Sequence, residues 1–383
     1  MGVYTRLVRP ILFRADAEHM HSAAIRAAEA LSASEMACRA VSAFCSLTRP
    51  RLECSVAGLK FRNPLGLAAG YDKNGRCVPL LAALGFGHIE IGSVSADPSE
   101  GNPKPRLWRL PGEQGLIVNY GLPNDGADVV AERLARSRAP VPAGVNIVNT
   151  NRGAQAWPGD EDTIVADYIR SIRRLDAHAA YLMLNLSCPN TADGRAFVSG
   201  ARRVRLLLEA VRDAAPSKPV FLKIAPFANT RSLEAFLEQV DASPLIRGFG
   251  INLVPGTPAL LNLRTPRLST ARGAISGAPC RDLMDRAAAE LYRRLDRKRY
   301  ALIATGGVFS AADAYRKIRQ GASLVQFLTA LVFEGPAIVR RMVAALDVLL
   351  ARDGFASVSD AVGVDALCRR HDHPEGLYQC ETV

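Results

Sequence analysis

The chain has 383 residues, 49% hydrophobic and 22% charged, which excludes a disordered or fibrous chain and leaves room for one large barrel with a small appendage or for two ordinary domains. Its formal net charge of +11 suits anionic partners, such as phosphate cofactors, acidic substrates or an anionic membrane surface, or simply a solvated basic face. The arginines are scattered and no Lys/Arg block reads as a nucleic-acid arm, so no nucleic-acid partner is expected.

The chain opens with MGVYTRLVRPILF, whose apolar patch Pro10–Phe13 is too short for a signal peptide, and no later uncharged run is long enough to span a bilayer. Asp16 can cap a helix running to about Leu31, with Met20, Ala24, Ala27 and Leu31 on one stripe. Ser34 can cap a second, carrying Met36, Ala40, Val41 and Phe44, and Pro50 ends the region. Residues 1–50 thus form a pair of amphipathic helices that either pack on the main fold or lie on a bilayer surface.

From Asn63 a rhythm begins. Apolar runs recur at Leu65–Ala68, Ile89–Val94, Gly144–Ile147, Tyr181–Leu186, Val220–Ile224, Phe249–Val254, Ala301–Ala304 and Leu324–Phe327, most of them separated by helical patterns. Parallel strands need crossover helices, so this alternation predicts an α/β fold, a (β/α)8 TIM barrel over residues 51–355 behind the small N-terminal helical extension. A doubly wound sheet is the alternative, but no GxGxxG turn opens a helix. Residues 356–383 read as a mobile tail. Its Cys368, His371, His373 and Cys380 have no familiar zinc spacing, so no metal is expected.

Active sites of barrels lie at the C-terminal ends of strands. There the sequence places Ala69, Gly70 and Lys73, then Ser93, Asn146, Asn185, Lys223 and Asn252. Two lysines at a barrel mouth call for anionic partners, and an electron-rich ring cofactor supplies one. Ser276-Gly277, Gly306-Gly307 and Thr329 come late in the barrel, where glycines either admit a phosphate to backbone N–H groups or serve tight turns. The eight cysteines contain no CxxC pair, which indicates a reducing compartment. One of them, Cys188, lies in a polar turn between two asparagines, as an apolar filler or as a general base.

The run Asn63-Pro-Leu-Gly-Leu-Ala-Ala-Gly-Tyr-Asp-Lys-Asn74 resembles the opening motif of the quinone-linked dihydroorotate dehydrogenases. Gly101-Asn-Pro-Lys-Pro-Arg106, Asn185-Leu-Ser-Cys-Pro-Asn-Thr191, Lys223-Ile-Ala-Pro226 and Gly306-Gly-Val-Phe-Ser310 extend the resemblance, which covers residues 1 to about 360 in order. It implies FMN held by Ala69, Gly70, Lys73, Ser93, Asn146, Asn185, Lys223, Gly277, Gly307 and Thr329. It implies a substrate among Lys73, Asn185, Asn190 and Asn252, with Cys188 and Lys73 catalytic. It makes the N-terminal helices a membrane-facing quinone tunnel, with His21 and Arg106 near its inner end. The protein is then a peripheral one on the cytoplasmic side of the inner membrane, monomeric or homodimeric.

The chain also departs from that pattern. The base is Cys188 where the quinone-linked class has serine, a substrate-binding asparagine is Val118, and Leu122, Ile251, Leu253 and Leu328 replace other expected residues. The flavin side is kept and the substrate side altered. Three readings follow: dihydroorotate oxidation, desaturation of a less polar relative in a specialised pathway, or a non-catalytic FMN-binding membrane protein.

Overall fold

The computed structural model describes residues 2–153, 160–188, 197–253 and 273–368. A π-helical turn (Tyr4–Val8) leads into α1 (Arg9–Leu12), α2 (Ala17–Ser32) and α3 (Glu35–Cys45). Asp16 accepts the N–H of His19 and Ser34 that of Ala37, so both expected caps form. The helical turns before Asp16 went unread, because tertiary contacts fix them. Tyr4 donates to the Val332 carbonyl at 2.7 Å and Arg9 to that of Phe333 at 3.1 Å.

The strands that follow are β1 (Cys54–Val56), β2 (Leu59–Phe61), β3 (Leu65–Leu67), β4 (His88–Val94), β5 (Leu107–Leu110), β6 (Gly115–Val118), β7 (Ala143–Ile147), β8 (Tyr181–Asn185), β9 (Val220–Ile224), β10 (Ile246–Ile251), β11 (Ala274–Gly277), β12 (Ala301–Ala304) and β13 (Leu324–Phe327). Eight of them, β3, β4, β7, β8, β9, β10, β12 and β13, close into an all-parallel barrel in chain order, β13 pairing back onto β3. These are the eight apolar runs of the sequence, and the TIM barrel expectation holds.

The helices among the described residues continue as α4 (Val78–Ala83), α5 (Ala127–Arg136), α6 (Glu161–Leu175), α7 (Ala201–Ala214), α8 (Thr230–Asp241), α9 (Arg281–Arg294), α10 (Ala311–Arg319), α11 (Thr329–Glu334), α12 (Ile338–Arg352) and α13 (Val364–Cys368). Each long one turns an apolar stripe inward. In α6 the stripe is Ile164, Val165, Tyr168, Ile169, Ile172 and Leu175.

Two additions dress the barrel. The β1–β2 hairpin turns at Ala57–Gly58, both with positive φ (49° and 81°), and packs Val56 and Phe61 against Tyr181, Phe221 and Ile303, plugging the N-terminal end. At the other end β5, β6 and β11 form an antiparallel sheet in which Gly115 faces Gly277. That pairing joins segments far apart in sequence, and local pattern gives no sign of it.

The segment after Gly354 corrects an expectation. Up to Ala366 it is docked: Val358, Ala361 and Ala366 are buried, and Arg319 pairs with Asp365 at 2.7 Å. Isolated small apolar residues seal a surface without making a periodic pattern. His371, His373, Cys380 and the side chain of Cys368 lie outside the described residues, and no metal-binding cluster occurs among those described.

Candidate active site

The strand tips open into a cavity of about 960 Å³ that continues between α2 and α3. At that outer end it is walled by Met20, Ala24, Ala27 and Leu31, the stripe seen in the sequence, together with Ala40, Val41 and Phe44. Met36 of the same pattern points to solvent, as do Val3 and Ile11. At the barrel end the wall turns polar, with Lys73, Ser93, Asn185, Lys223, Asn252 and Thr329. One continuous space thus runs from an apolar helix pair to a polar barrel mouth.

The polar floor is a chain of hydrogen bonds. Ser93 donates to Asn146 Oδ1 at 2.6 Å, Asn185 donates to the same oxygen at 3.3 Å, and Asn252 donates to Asn185 Oδ1 at 3.2 Å. Below it sits Glu90, fully buried, accepting from Lys223 at 2.9 Å, Asn146 at 2.8 Å and Gln326 at 2.8 Å. Burial alone would raise its carboxyl pKa, but the Lys223 ammonium and the hydrogen bonds hold it below the usual carboxylate range. Neither Glu90 nor Gln326 was read as functional. The available signal was a carboxylate inside the apolar strand His88-Ile-Glu-Ile, a place where charges are almost never buried unpaired.

Lys73 stands where the floor meets α2. Its Nζ is 3.2 Å from His21 Nε2, 2.9 Å from the Gly70 carbonyl and 4.1 Å from the centre of the Tyr120 ring. Burial, then the nearby Arg106 charge, pushes its pKa down to about 8. Burial and Lys73 push His21 down to about 3, so its ring is neutral and accepts from the lysine.

The structure gathers most of the residues named from sequence. Ala69, Gly70, Lys73, Ser93, Asn185, Cys188, Lys223, Asn252, Gly277, Gly307 and Thr329 all border the cavity, as do His21 and Val118. Cys188 is buried at the end of β8. Asn146 does not reach the cavity wall; it lies fully buried behind Ser93 and Asn185. Arg106 also lies off this wall, lining an adjoining polar groove and held by Glu18 and the Glu100 and Asn102 carbonyls. Leu122, Leu253 and Leu328 border the cavity, whereas Ile251 is packed into the core. Asn190 lies outside the described residues.

At the far end Gly277, Gly306 and Gly307 have φ of 101°, 85° and 73°, and Ser276 and Thr329 share a hydrogen bond of 3.0 Å. No side chain caps the start of α11 at Leu328. Glycine turns, hydroxyls and an uncapped helix start make a donor-rich end of the cavity.

Known proteins resemble this chain in sequence and fold. The dihydroorotate dehydrogenase family model matches residues 51–350. A relative from Natronomonas pharaonis named dihydroorotate dehydrogenase (quinone) is 39% identical, over 95% of this chain and 100% of its own. One of the same name from Sphingopyxis alaskensis is 38% identical, over 94% and 96%. Among solved structures, the Eimeria tenella enzyme crystallised with ferulenol superposes with a TM-score of 0.74 at 28% identity, covering 87% of this chain and 95% of that one. The chain belongs to the dihydroorotate dehydrogenase family, in its quinone-linked class.

Proposed function

We propose that the protein is an FMN-dependent dehydrogenase that oxidises dihydroorotate and hands the electrons to a quinone. The observation that carries this is the single cavity joining a polar barrel mouth to an apolar gap between α2 and α3.

Family membership implies a flavin, and the residues present fit FMN. Lys73, Lys223 and the asparagine amides offer a donor-rich edge for the ring, and the Gly277, Gly306–Gly307 and Thr329 end suits a phosphate. When bound, FMN supplies the two-electron acceptor.

The chain's own residues do the rest. Cys188, as its thiolate, takes the proton from the substrate carbon, its side chain bordering the same cavity as Asn185 and Asn252. Asn185 and Asn252 orient the substrate, and Lys73 balances its negative charge. The hydrogen bond from Asn252 to Asn185 fixes both amides before substrate arrives. Leu31, Val41 and Phe44 line the outer passage with hydrocarbon, which suits a long apolar quinone. Exposed apolar residues at the same end, Val3 at 72%, Ile11 at 67%, Met36 at 80% and Phe44 at 79%, favour contact with a membrane surface. No helix among the described residues is long and apolar enough to cross a membrane.

Val118, Leu122 and Leu253 favour a second reading, a less polar ring as substrate, because they put hydrocarbon on a wall that otherwise presents amides. Anaerobic addition of dihydroorotate to the purified yellow protein separates the readings. Rapid bleaching of the flavin supports the first. Bleaching only by a less polar dihydro compound supports the second, and a protein that refuses FMN ends both.

A further inference from the structure

Glu90 is a charge that the mechanism above does not use. Its two oxygens receive four donors: Lys223 at 2.9 Å and Asn146 at 2.8 Å on Oε1, Gln326 at 2.8 Å and Tyr181 at 3.3 Å on Oε2. Lys223 and Gln326 border the cavity, and Asn146 touches Ser93 and Asn185, which do. Another buried ammonium, that of Lys317, pairs with Asp285 at 2.5 Å between α9 and α10, and neither residue reaches the cavity. Glu90 is placed differently.

An ionised carboxylate only accepts hydrogen bonds. Asn146 must therefore turn its NH2 toward Glu90, which leaves its Oδ1 for Ser93 and for the NH2 of Asn185. Asn185 then has its Oδ1 available to the NH2 of Asn252 and the Ser187 N–H, at 3.2 Å each. The Oδ1 of Asn252 in turn takes the Leu253 N–H at 2.9 Å. One charge dictates the direction of three successive amides, two of them on the cavity wall.

We infer that Glu90 is a positioning residue for the cofactor floor: it neutralises Lys223 and fixes the orientation of Asn146, Asn185 and Asn252. The inference rests on the flavin reading above. A neutral Lys223–Glu90 pair adds little net charge to the floor that would hold the ring. Removal of the carboxylate charge leaves a positive site there, which favours the reduced, electron-rich ring. A glutamine at the position both donates and accepts, so the amide chain loses its single direction.

The test compares FMN-loaded wild type, Glu90→Gln and Glu90→Asp, with potentials read by equilibration against a redox dye. In Glu90→Gln the ratio of reduced to oxidised flavin at a fixed dye potential rises about tenfold, which is about 30 mV for a two-electron couple. The substrate KM rises about tenfold while kcat changes less, and the apoprotein binds FMN with altered affinity in a fluorescence titration. Glu90→Asp keeps the charge and holds the potential near wild type. A Glu90→Gln protein with wild-type potential and KM overturns the inference. Should that variant not fold, Glu90→Asp decides: its shorter side chain withdraws the acceptor from Asn146, so a raised KM supports the inference and a wild-type KM overturns it. A wild-type protein that takes up no FMN defeats the flavin reading instead.

Discussion

The ammonium of Lys73 lies 3.2 Å from Nε2 of His21, so the first strand tip of the barrel is tied directly to the N-terminal helix α2. The contact is made by a lysine whose pKa burial has pushed down to about 8. In the apoprotein Lys73 is therefore charged below that pH and neutral above it. FMN is anionic, so its affinity for the apoprotein weakens as pH rises through about 8, by up to about tenfold per pH unit. Lys73→Arg keeps its charge throughout and removes this limb. Fluorescence titrations of both proteins across that range check it; identical pH profiles would remove Lys73 from the cofactor site.

The Cys188 assignment makes a sharp claim about one half-reaction. Cys188→Ala loses about 10²-fold or more in the rate of anaerobic flavin reduction by substrate, while FMN binding and the absorbance spectrum stay the same. Cys188→Ser keeps part of the rate because a hydroxyl can still take the proton. Stopped-flow bleaching measures both. A Cys188→Ala protein reduced at the wild-type rate shows that the base is elsewhere.

Val118 borders the cavity where an amide could meet a polar ring. If dihydroorotate is the substrate, Val118→Asn supplies a hydrogen bond worth about 1 kcal/mol and lowers its KM roughly fivefold. If the natural substrate is less polar, the same change raises the KM of that compound, because a buried amide is left unpaired. Steady-state kinetics with each compound separates the cases.

Much of this architecture was legible in the sequence. All eight barrel strands show as apolar runs because buried parallel strands are apolar on both faces, and the caps Asp16 and Ser34 mark their helices through local hydrogen bonds. The residues at the strand tips could be placed because barrel geometry brings those tips together. What stayed hidden depends on distant pairing. The Gly115–Gly277 register, the hairpin that plugs the barrel under Tyr181, and the docking of Val358 and Ala366 leave no periodic trace. Glu90 was hidden for another reason: its role follows from four partners on four other strands, and those appear only once the barrel closes. Arg106, expected near the inner end of the tunnel, lies 5.2 Å from the cavity-lining Tyr120 ring while Glu18 holds its guanidinium toward the polar groove.

That pair gives a test of helix docking. Arg106 and Glu18 meet at 2.9 Å with side chains only 10% and 14% exposed, so α2 is pinned to the loop before β5 by a nearly buried ion pair. Glu18→Gln leaves the guanidinium short of a charge partner and costs about 3 kcal/mol of local stability. Because α2 walls the outer passage and meets the floor only through His21 and Lys73, quinone reduction falls more than anaerobic flavin reduction by substrate does. Separate assays of the two half-reactions, with hydrogen exchange over residues 17–32, check this. An equal loss in both would mean that α2 supports the floor as well.

Acid stability follows from two neutral histidines. Burial holds His88 at a pKa of about 4, opposed only by the Glu90 charge, and burial with Lys73 holds His21 at about 3. The unfolded chain protonates both near the ordinary value of about 6.5, so between that pH and the folded values it binds protons that the native state refuses. The stability they contribute is fully present above about pH 6.5 and falls as pH drops toward 4 and 3, with a slope approaching about 1.4 kcal/mol per unit for His88. Urea unfolding of the apoprotein at about pH 7, 6 and 5 reads the slope. His88→Gln has no proton to take up at that position and lowers the slope by the His88 share, leaving that of His21. His88 faces Phe61, Glu90 and Gln326 inside the barrel, and the Cβ that Gly66 lacks would collide with its ring. A wild-type curve already flat over that range would mean that the imidazole is charged in the fold, beside Glu90, and that the carboxylate there has two cations to balance.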